Sequence, residues 1–211
     1  VNSGWGTYLL DSTAHDDYTD CTIPINSAGQ IAFAALLDNG RIVVMRAEPT
    51  RDNDGDGVTD WDELGGPNSG DGNGDNIPDS VQPNVASVTN PVDGRVLTFA
   101  TDPNFTLVNA RSVPNPSPGN APADPFPFGH FAFEITDLPP GGSTTVTVHM
   151  PWNAIASWWK YGPTPGNPTP HWYDFAFDGA TGAEINGAVV TLHFVDGARG
   201  EWVAARARMA L

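Results

Sequence analysis

Residues 129–150 read GHFAFEITDLPPGGSTTVTVHM. In the first half Phe131, Phe133 and Ile135 fall on one face of an extended chain, and His130, Ala132 and Glu134 on the other. Side chains of a strand point alternately to its two faces, so this period of two predicts a half-buried strand over Gly129–Leu138. Pro139-Pro140-Gly141-Gly142 turns the chain, because proline lacks the ladder N–H and glycine accepts turn dihedrals. Ser143–Met150 then alternates valine with threonine as a returning strand, with His149 among its solvent-facing positions.

The same grammar extends both ways. Val85–Thr89, Arg95–Thr101 and Phe105–Ser112 are short strand-like runs, and Ile185-Asn186-Gly187-Ala188 turns into Val189–Val195, which ends at Asp196-Gly197. Val113–Pro127 (VPNPSPGNAPADPFP) is too rich in proline for a central strand and reads as a surface loop. With 23 Gly, 20 Pro and only 16% charged residues, the composition disfavours helices. Short strands separated by turns predict an all-β fold, with a β-sandwich over residues 84–211.

Residues 1–50 form an N-terminal β-hairpin region. Trp5–Leu10 holds β-formers, Asp11–Asp20 is a polar loop, and Gln30–Leu37 and Arg41–Ala47 flank Asp38-Asn39-Gly40, whose Asn-Gly pair is a strong hairpin signal. A piece this small is not stable alone and is expected to lean on the sheet that follows.

Between these regions, residues 51–83 are acidic. Asp52, Asp54, Asp56, Asp60 and Glu63 occupy positions 1, 3, 5, 9 and 12 of a twelve-residue loop, with Gly57 at position 6 and the Val58 carbonyl at position 7. This is calcium-loop spacing: alternate side-chain oxygens and one backbone carbonyl converge on a single ion. A second copy begins nineteen residues later, with Asp71, Asn73, Asp75, Ile77 (by its carbonyl) and Asp79 at positions 1, 3, 5, 7 and 9. It is weaker, since Asn76 replaces the turn glycine and Gln82 the bidentate acid. From Asp52 to Gln82 there are nine carboxylates and no Lys or Arg, so the stretch repels itself unless a hard cation binds. Zinc would call for His or Cys, and magnesium for a stricter octahedron. The cofactor expected is therefore Ca2+, about two ions or more. A solvated acidic linker would share the composition but would have no reason to keep the register.

A formal net charge of -16 argues against nucleic acid and anionic membrane surfaces as partners, although bound calcium would cancel part of it. No stretch has the length of a membrane-spanning helix. Cys21 is the one cysteine, so no internal disulfide forms. The sequence begins at Val1 without a signal peptide, which fits a processed chain, and weak calcium loops suit millimolar calcium outside cells. The expected location is secreted or extracellular, at a cell surface.

No catalytic constellation stands out. His15, His130, His149, His171 and His193 are scattered, no serine sits in a nucleophile elbow, and no H-E-x-x-H occurs. Carboxylate pairs such as Asp16/Asp17 and Glu134/Asp137 are what any acidic chain supplies. The expectation is a non-enzymatic protein. Aromatics concentrate in Trp152–Phe177, where Trp158, Trp159, Tyr161 and Trp172 could form a platform on which sugars stack, with Tyr173 close by. Core packing is the competing reading, and adjacency sends one of Trp158 and Trp159 inward and the other outward. His171 is then expected as a hydrogen-bonded edge residue beside Tyr161. At the end of the chain, Glu201–Leu211 (EWVAARARMAL) alternates as a strand with one apolar face, though Ala and Arg also suit a helix. A terminal strand either pairs with its own sheet or adds to a neighbour's edge, and head-to-tail addition builds a filament.

Two resemblances sit on these motifs. Ile25–Ala47, with AGQIAF followed by L-x-N-G, resembles one unit of repeats found in some secreted bacterial proteins. Asp52–Gly197, about two thirds of the chain, resembles a pair of thrombospondin type 3-like calcium repeats followed by the β-domain called choice-of-anchor U. The residues that carry the second likeness are the acidic repeats, Gln82–Val88 (QPNVASV), Leu138–Val146 (LPPGGSTTV), Lys160–Pro163 (KYGP), His171–Phe175 (HWYDF) and Ala183–Leu192 (AEINGAVVTL). That resemblance implies a secreted or surface-anchored bacterial protein with a calcium-binding β-sandwich and no assigned catalysis. Such domains run on into an acidic, Gly-rich end and a sorting tail; Glu201–Leu211 departs from that pattern and puts tail anchoring in question.

The expectation is thus a calcium-binding structural or adhesive protein whose ions clamp Asp52–Gln82 into a ladder joining hairpin to sandwich. Its partners would be itself, as a homo-oligomer or fibre, or other cell-surface components. A polysaccharide partner bound by the aromatic platform is the alternative.

Overall fold

The computed structural model describes residues 30–36, 39–47, 50–123, 126–150, 155–200 and 207–210. The expected strand Trp5–Leu10, the loop Asp11–Asp20, Cys21, Trp152, Glu201–Arg206 and Leu211 lie outside the described residues. The chain divides into two compact units, Val1–Glu48 and Pro49–Leu211.

In the first unit β1 (Ile31–Leu36) pairs antiparallel with β2 (Ile42–Ala47), from Ile31 opposite Ala47 to Leu36 opposite Ile42. The turn is where Asn-Gly predicts it: Gly40 takes a φ of 77°, and Asn39 Oδ1 accepts the Arg41 N–H at 3.1 Å. Ile42 and Val44 are 74% and 81% exposed, so this ribbon leaves apolar side chains in water.

The second unit holds two five-stranded antiparallel sheets. The first has the order β10 (Gly182–Asn186), β11 (Val189–Val195), β7 (Ser143–His149), β4 (Val96–Thr101), β3 (Val85–Thr89). The second runs β5 (Thr106–Val113), β6 (His130–Thr136), β12 (Ala207–Ala210), β8 (Trp159–Thr164), β9 (Asn167–Asp174). One hydrophobic core takes side chains from both sheets, Leu97, Phe99, Val146, Val148 and Leu192 from the first, Leu107, Phe131 and Phe133 from the second. Phe99 meets Phe131 at 5.5 Å and Phe133 at 5.4 Å between ring centroids, and Phe133 meets Phe194 edge-on at 6.3 Å. Tilted and edge-on rings at these separations are the favoured geometry, and they tie sheet to sheet. The fold is all-β, a sandwich.

Two faces differ from the period-two reading. In β6 the His130–Ala132 face is buried as fully as the Phe131–Phe133 face. The rings of Phe126 and Trp172 cover His130 at 4.7 and 5.7 Å, so this end of the strand is buried on both sides. In β7 His149 is half-buried rather than solvent-facing, and burial lowers its pKa while nearby Asp79 opposes that shift. The cause is the acidic stretch, which packs on the outer face of β3 and β4. Ser87 and Thr98, outward-facing there, have no exposed surface.

Candidate metal centre

The first acidic loop is wound by its own carboxylates. Asp52 accepts the Gly55 and Gly57 N–H groups at 2.7 and 3.2 Å, Asp54 accepts from Asp56 N at 3.4 Å, and Asp56 accepts from Val58 N at 2.6 Å. Short acidic side chains favour such turns because they reach the backbone two to five residues on. Gly57 has a φ of +100°, and a Cβ there would lie 2.9 Å from the Asn109 Cα, so glycine is required on both counts.

The loop ends in α1 (Asp60–Leu64), capped by the Thr59 hydroxyl, which accepts from Asp62 N at 3.1 Å. This short helix turns Glu63 inward to 1% exposure. Its Oε1 accepts the Ser87 N–H of β3 at 3.1 Å. The loop is moored elsewhere too: Val58 belongs to the sandwich core, and the Asp56 carbonyl accepts the Ala110 N–H at 2.8 Å. That N–H is turned outward by a bulge in β5, where Asn109 adopts a φ of 56°.

The side-chain ligand atoms of Asp52, Asp54 and Asp56 lie within 4.8 Å of one another, the one such group of three among the described residues. Asp54 Oδ2, Asp56 Oδ2 and Glu63 Oε2 are buried without a hydrogen-bond partner. Burial first, then mutual repulsion, pushes these carboxyls up, Asp54 to about 6, Asp56 to about 8 and Glu63 to about 9. Buried carboxylates are normally paired or bound to a metal, and here three orphan oxygens belong to positions 3, 5 and 12 of the loop. An all-oxygen, multiply anionic donor set suits a hard divalent cation. Asp60, at position 9, is otherwise engaged: it accepts from Asn53 N and Nδ2, both at 2.8 Å, and pairs with Arg51 at 3.2 Å. It closes the loop from outside. The Val58 carbonyl has its N–H neighbour tied to Asp56, and the buried side chain fixes its place.

The second loop winds in the same way. Asp71 accepts from Gly74 N, Asp75 N and Asn76 N at 2.9, 3.0 and 3.0 Å, and Asn73 Oδ1 accepts from Asp75 N at 3.1 Å. Asn76 takes the left-handed conformation (φ 71°) that glycine holds in the first loop, as Asn does with little strain. Gln82 Nε2, where the closing acid would be, donates to Asp75 Oδ1 at 3.1 Å and to the Ile77 carbonyl at 3.0 Å. An amide thus bridges the oxygens of positions 5 and 7. Asp79 is fully buried and accepts from Gly72 N at 2.9 Å and Ser87 Oγ at 2.5 Å; burial raises its pKa, opposed by these bonds.

Ser87 is the functional neighbour that sequence reading missed. Its N–H holds Glu63, and its hydroxyl holds Asp79 and meets Thr98 Oγ1 at 2.6 Å, so one strand residue receives both loops. A serine set between the apolar Ala86 and Val88 was its only signal.

The aromatic platform is rearranged by the fold. Trp158 is 1% exposed in the core, so it is withdrawn from the platform; the backbone that turns it inward leaves Trp159 half-buried on the other side. Tyr161 and Trp172 are cross-strand partners with rings 5.2 Å apart, and Trp172 also stacks on Phe126 at 5.3 Å. The Trp172 N–H donates to the Ser117 carbonyl at 3.1 Å, bringing the Pro-rich loop over this cluster. His171 lies beside Tyr173 (5.7 Å) and not Tyr161, because it pairs with Gly162 and so points to the opposite face.

Compared with known protein families, characterised proteins and solved structures, the chain gives no match.

Proposed function

We propose that this is a non-catalytic, calcium-binding extracellular protein with a structural or adhesive role, in which Ca2+ neutralises the Asp52–Glu63 loop and stiffens its seat on the sandwich. The observation that carries the reading is the trio of buried, unpartnered oxygens on Asp54, Asp56 and Glu63. A calcium ion would take these together with Asp52 and the Val58 carbonyl; Asp71, Asn73, Asp75, Ile77 and Asp79 would serve a second ion, with Gln82 turning its amide oxygen inward. The chemistry supplied is charge neutralisation and crosslinking of chain segments. Location outside the cell follows from the calcium level such loops need, and no helix among the described residues is long and apolar enough to cross a membrane. Partners would be further copies of the chain or other surface components.

Calorimetric titration with calcium and with magnesium tests the reading. Calcium binding lost in Asp56→Asn and Glu63→Gln is expected; no heat and no thermal shift with calcium would sink it. Limited proteolysis gives a second check, since chelator is expected to open cleavage within Arg51–Gln82.

A second reading, polysaccharide binding, draws on the half-buried Tyr161–Trp172–Phe126 cluster outside the second sheet. Affinity electrophoresis separates it: retardation abolished by Trp172→Ala favours it, and indifference to every glycan removes it.

A further inference from the structure

The last strand of the chain lies in the middle of its sheet. Ala207–Ala210 of β12 pair antiparallel with Phe133–His130 of β6, and Met209 and Ala210 pair with Lys160 and Trp159 of β8. Among the described residues, β6 and β8 are joined in the sheet only through this strand. Without it the sheet becomes two ribbons, β5–β6 and β8–β9, each with bare backbone N–H and C=O groups flanking a gap beside the core residues Phe131, Phe133 and Trp158. Buried backbone groups do not stay unpaired, so some strand must fill the gap.

The chain is nevertheless anchored to the body of the sandwich before that strand begins. Lys160 Nζ donates to the Gly200 carbonyl and lies 4.6 Å from the Phe194 ring centre and 5.0 Å from that of Phe175. Arg199 bonds Asp178 at 2.6 Å and the carbonyls of Ala176 and Thr181 at 2.6 and 2.9 Å. A Cβ on Gly200 would meet the Phe175 ring at 2.6 Å, so the chain is wedged there. None of these contacts involves Ala207–Ala210. Seven residue steps separate Gly200 from Ala207, a reach of roughly 23 Å at about 3.3 Å each.

We propose that the strand is exchanged: Ala207–Ala210 of one copy fills the β6–β8 gap of the next. This rests on the structural-protein reading and names its partner as a second copy of the chain. The backbone bonds are the same whether the strand comes from its own chain or a neighbour. Donor and acceptor are different surfaces, so the contact is heterologous and repeats head to tail into a filament.

The test is a full-length double variant, Ala132→Cys with Arg208→Cys, in a Cys21→Ser background, because Arg208 lies opposite Ala132. After oxidation, strand exchange gives a ladder of covalent multimers on a non-reducing denaturing gel. A monomer with an internal bond, or no bond at all, overturns the proposal. The unmodified chain supplies a second readout free of folding damage: light scattering should find multimers that shorten in a large excess of the peptide Glu201–Leu211, and a monomer, or multimers of unchanged mass, counts against exchange. Running both in calcium and in chelator keeps the two readings apart. A ladder in both with no calcium binding leaves exchange standing and removes the calcium role; calcium binding by a monomer does the reverse.

Discussion

Glu63 is a carboxylate that the fold alone does not want. Burial and its acidic neighbours hold its pKa at about 9, and one oxygen has no partner. Glu63→Gln keeps the shape and removes the charge. In chelator near pH 7 this variant should be more stable than the parent, by roughly 1–3 kcal/mol, because the parent must either bury a charge or take up a proton that its unfolded carboxyl, with an ordinary pKa of 4.5, does not hold. In calcium the order should reverse, because a ligand is lost; thermal melts of both proteins under both conditions check the crossing. A second prediction concerns pH. Burial lowers the pKa of His130 below 6.5, so the folded state resists a proton that the unfolded chain accepts. Its stabilising contribution is complete above about pH 6.5 and is lost as the pH falls towards the folded-state value. His149 adds to the same trend. The parent should therefore lose stability relative to His130→Phe as the pH falls through that window. Taking the difference between the two melting curves cancels the opposite trend of Asp54, Asp56 and Glu63, whose raised pKa values favour folding at low pH in chelator, and a constant difference removes this account. None of this was visible in the strand alternation around residue 130, because the rings that bury His130 come from Phe126 and from Trp172, in a different strand.

At the level of elements, the acidic loop is a docked part of the sandwich. It enters a bulge of β5 through the Asp56 carbonyl and the bare Cα of Gly57. Gly57→Ala should cost about 2–4 kcal/mol, since left-handed strain adds to a collision with backbone that cannot give way. Gly55 has a similar φ of +80° and open space around it, so Gly55→Ala should cost only about 1 kcal/mol. Denaturant midpoints of the two variants give the comparison, and equal losses would mean that the bulge contact contributes nothing. The loop's internal winding was readable from spacing, since each carboxylate bonds backbone within five residues. Its mooring was not: Glu63 and Ser87 are 24 residues apart.

At the scale of the molecule, the loops and both sheets form one compact unit, Pro49–Leu211. With Val58 in the core and Ser87 holding both loops, the acidic loops and the sandwich should melt together. A ligand at a hundred times its dissociation constant stabilises by about 2.7 kcal/mol, which for a unit of this size is roughly 5–11 °C in Tm. Near-ultraviolet circular dichroism, which reads buried tryptophans such as Trp158, should follow the same calcium-dependent transition. A signal indifferent to chelator would instead make the loops an independent appendage.

What the sequence determined by itself is what short range controls. Period-two alternation and Gly/Pro turns prescribe strands, Asn39-Gly40 prescribes a hairpin, and alternating aspartates prescribe a wound acidic loop, all through contacts a few residues apart. Which strands are neighbours, which tryptophan is core and which surface, and which serine receives the loops were decided only by the tertiary structure. Those outcomes depend on surfaces tens of residues apart being buried against each other, and burial is a property of the packed whole. The gap between β6 and β8 is the plainest case: the sequence of Glu201–Leu211 suits a strand or a helix, and only the sheet makes Ala207–Ala210 a strand and places it at the centre.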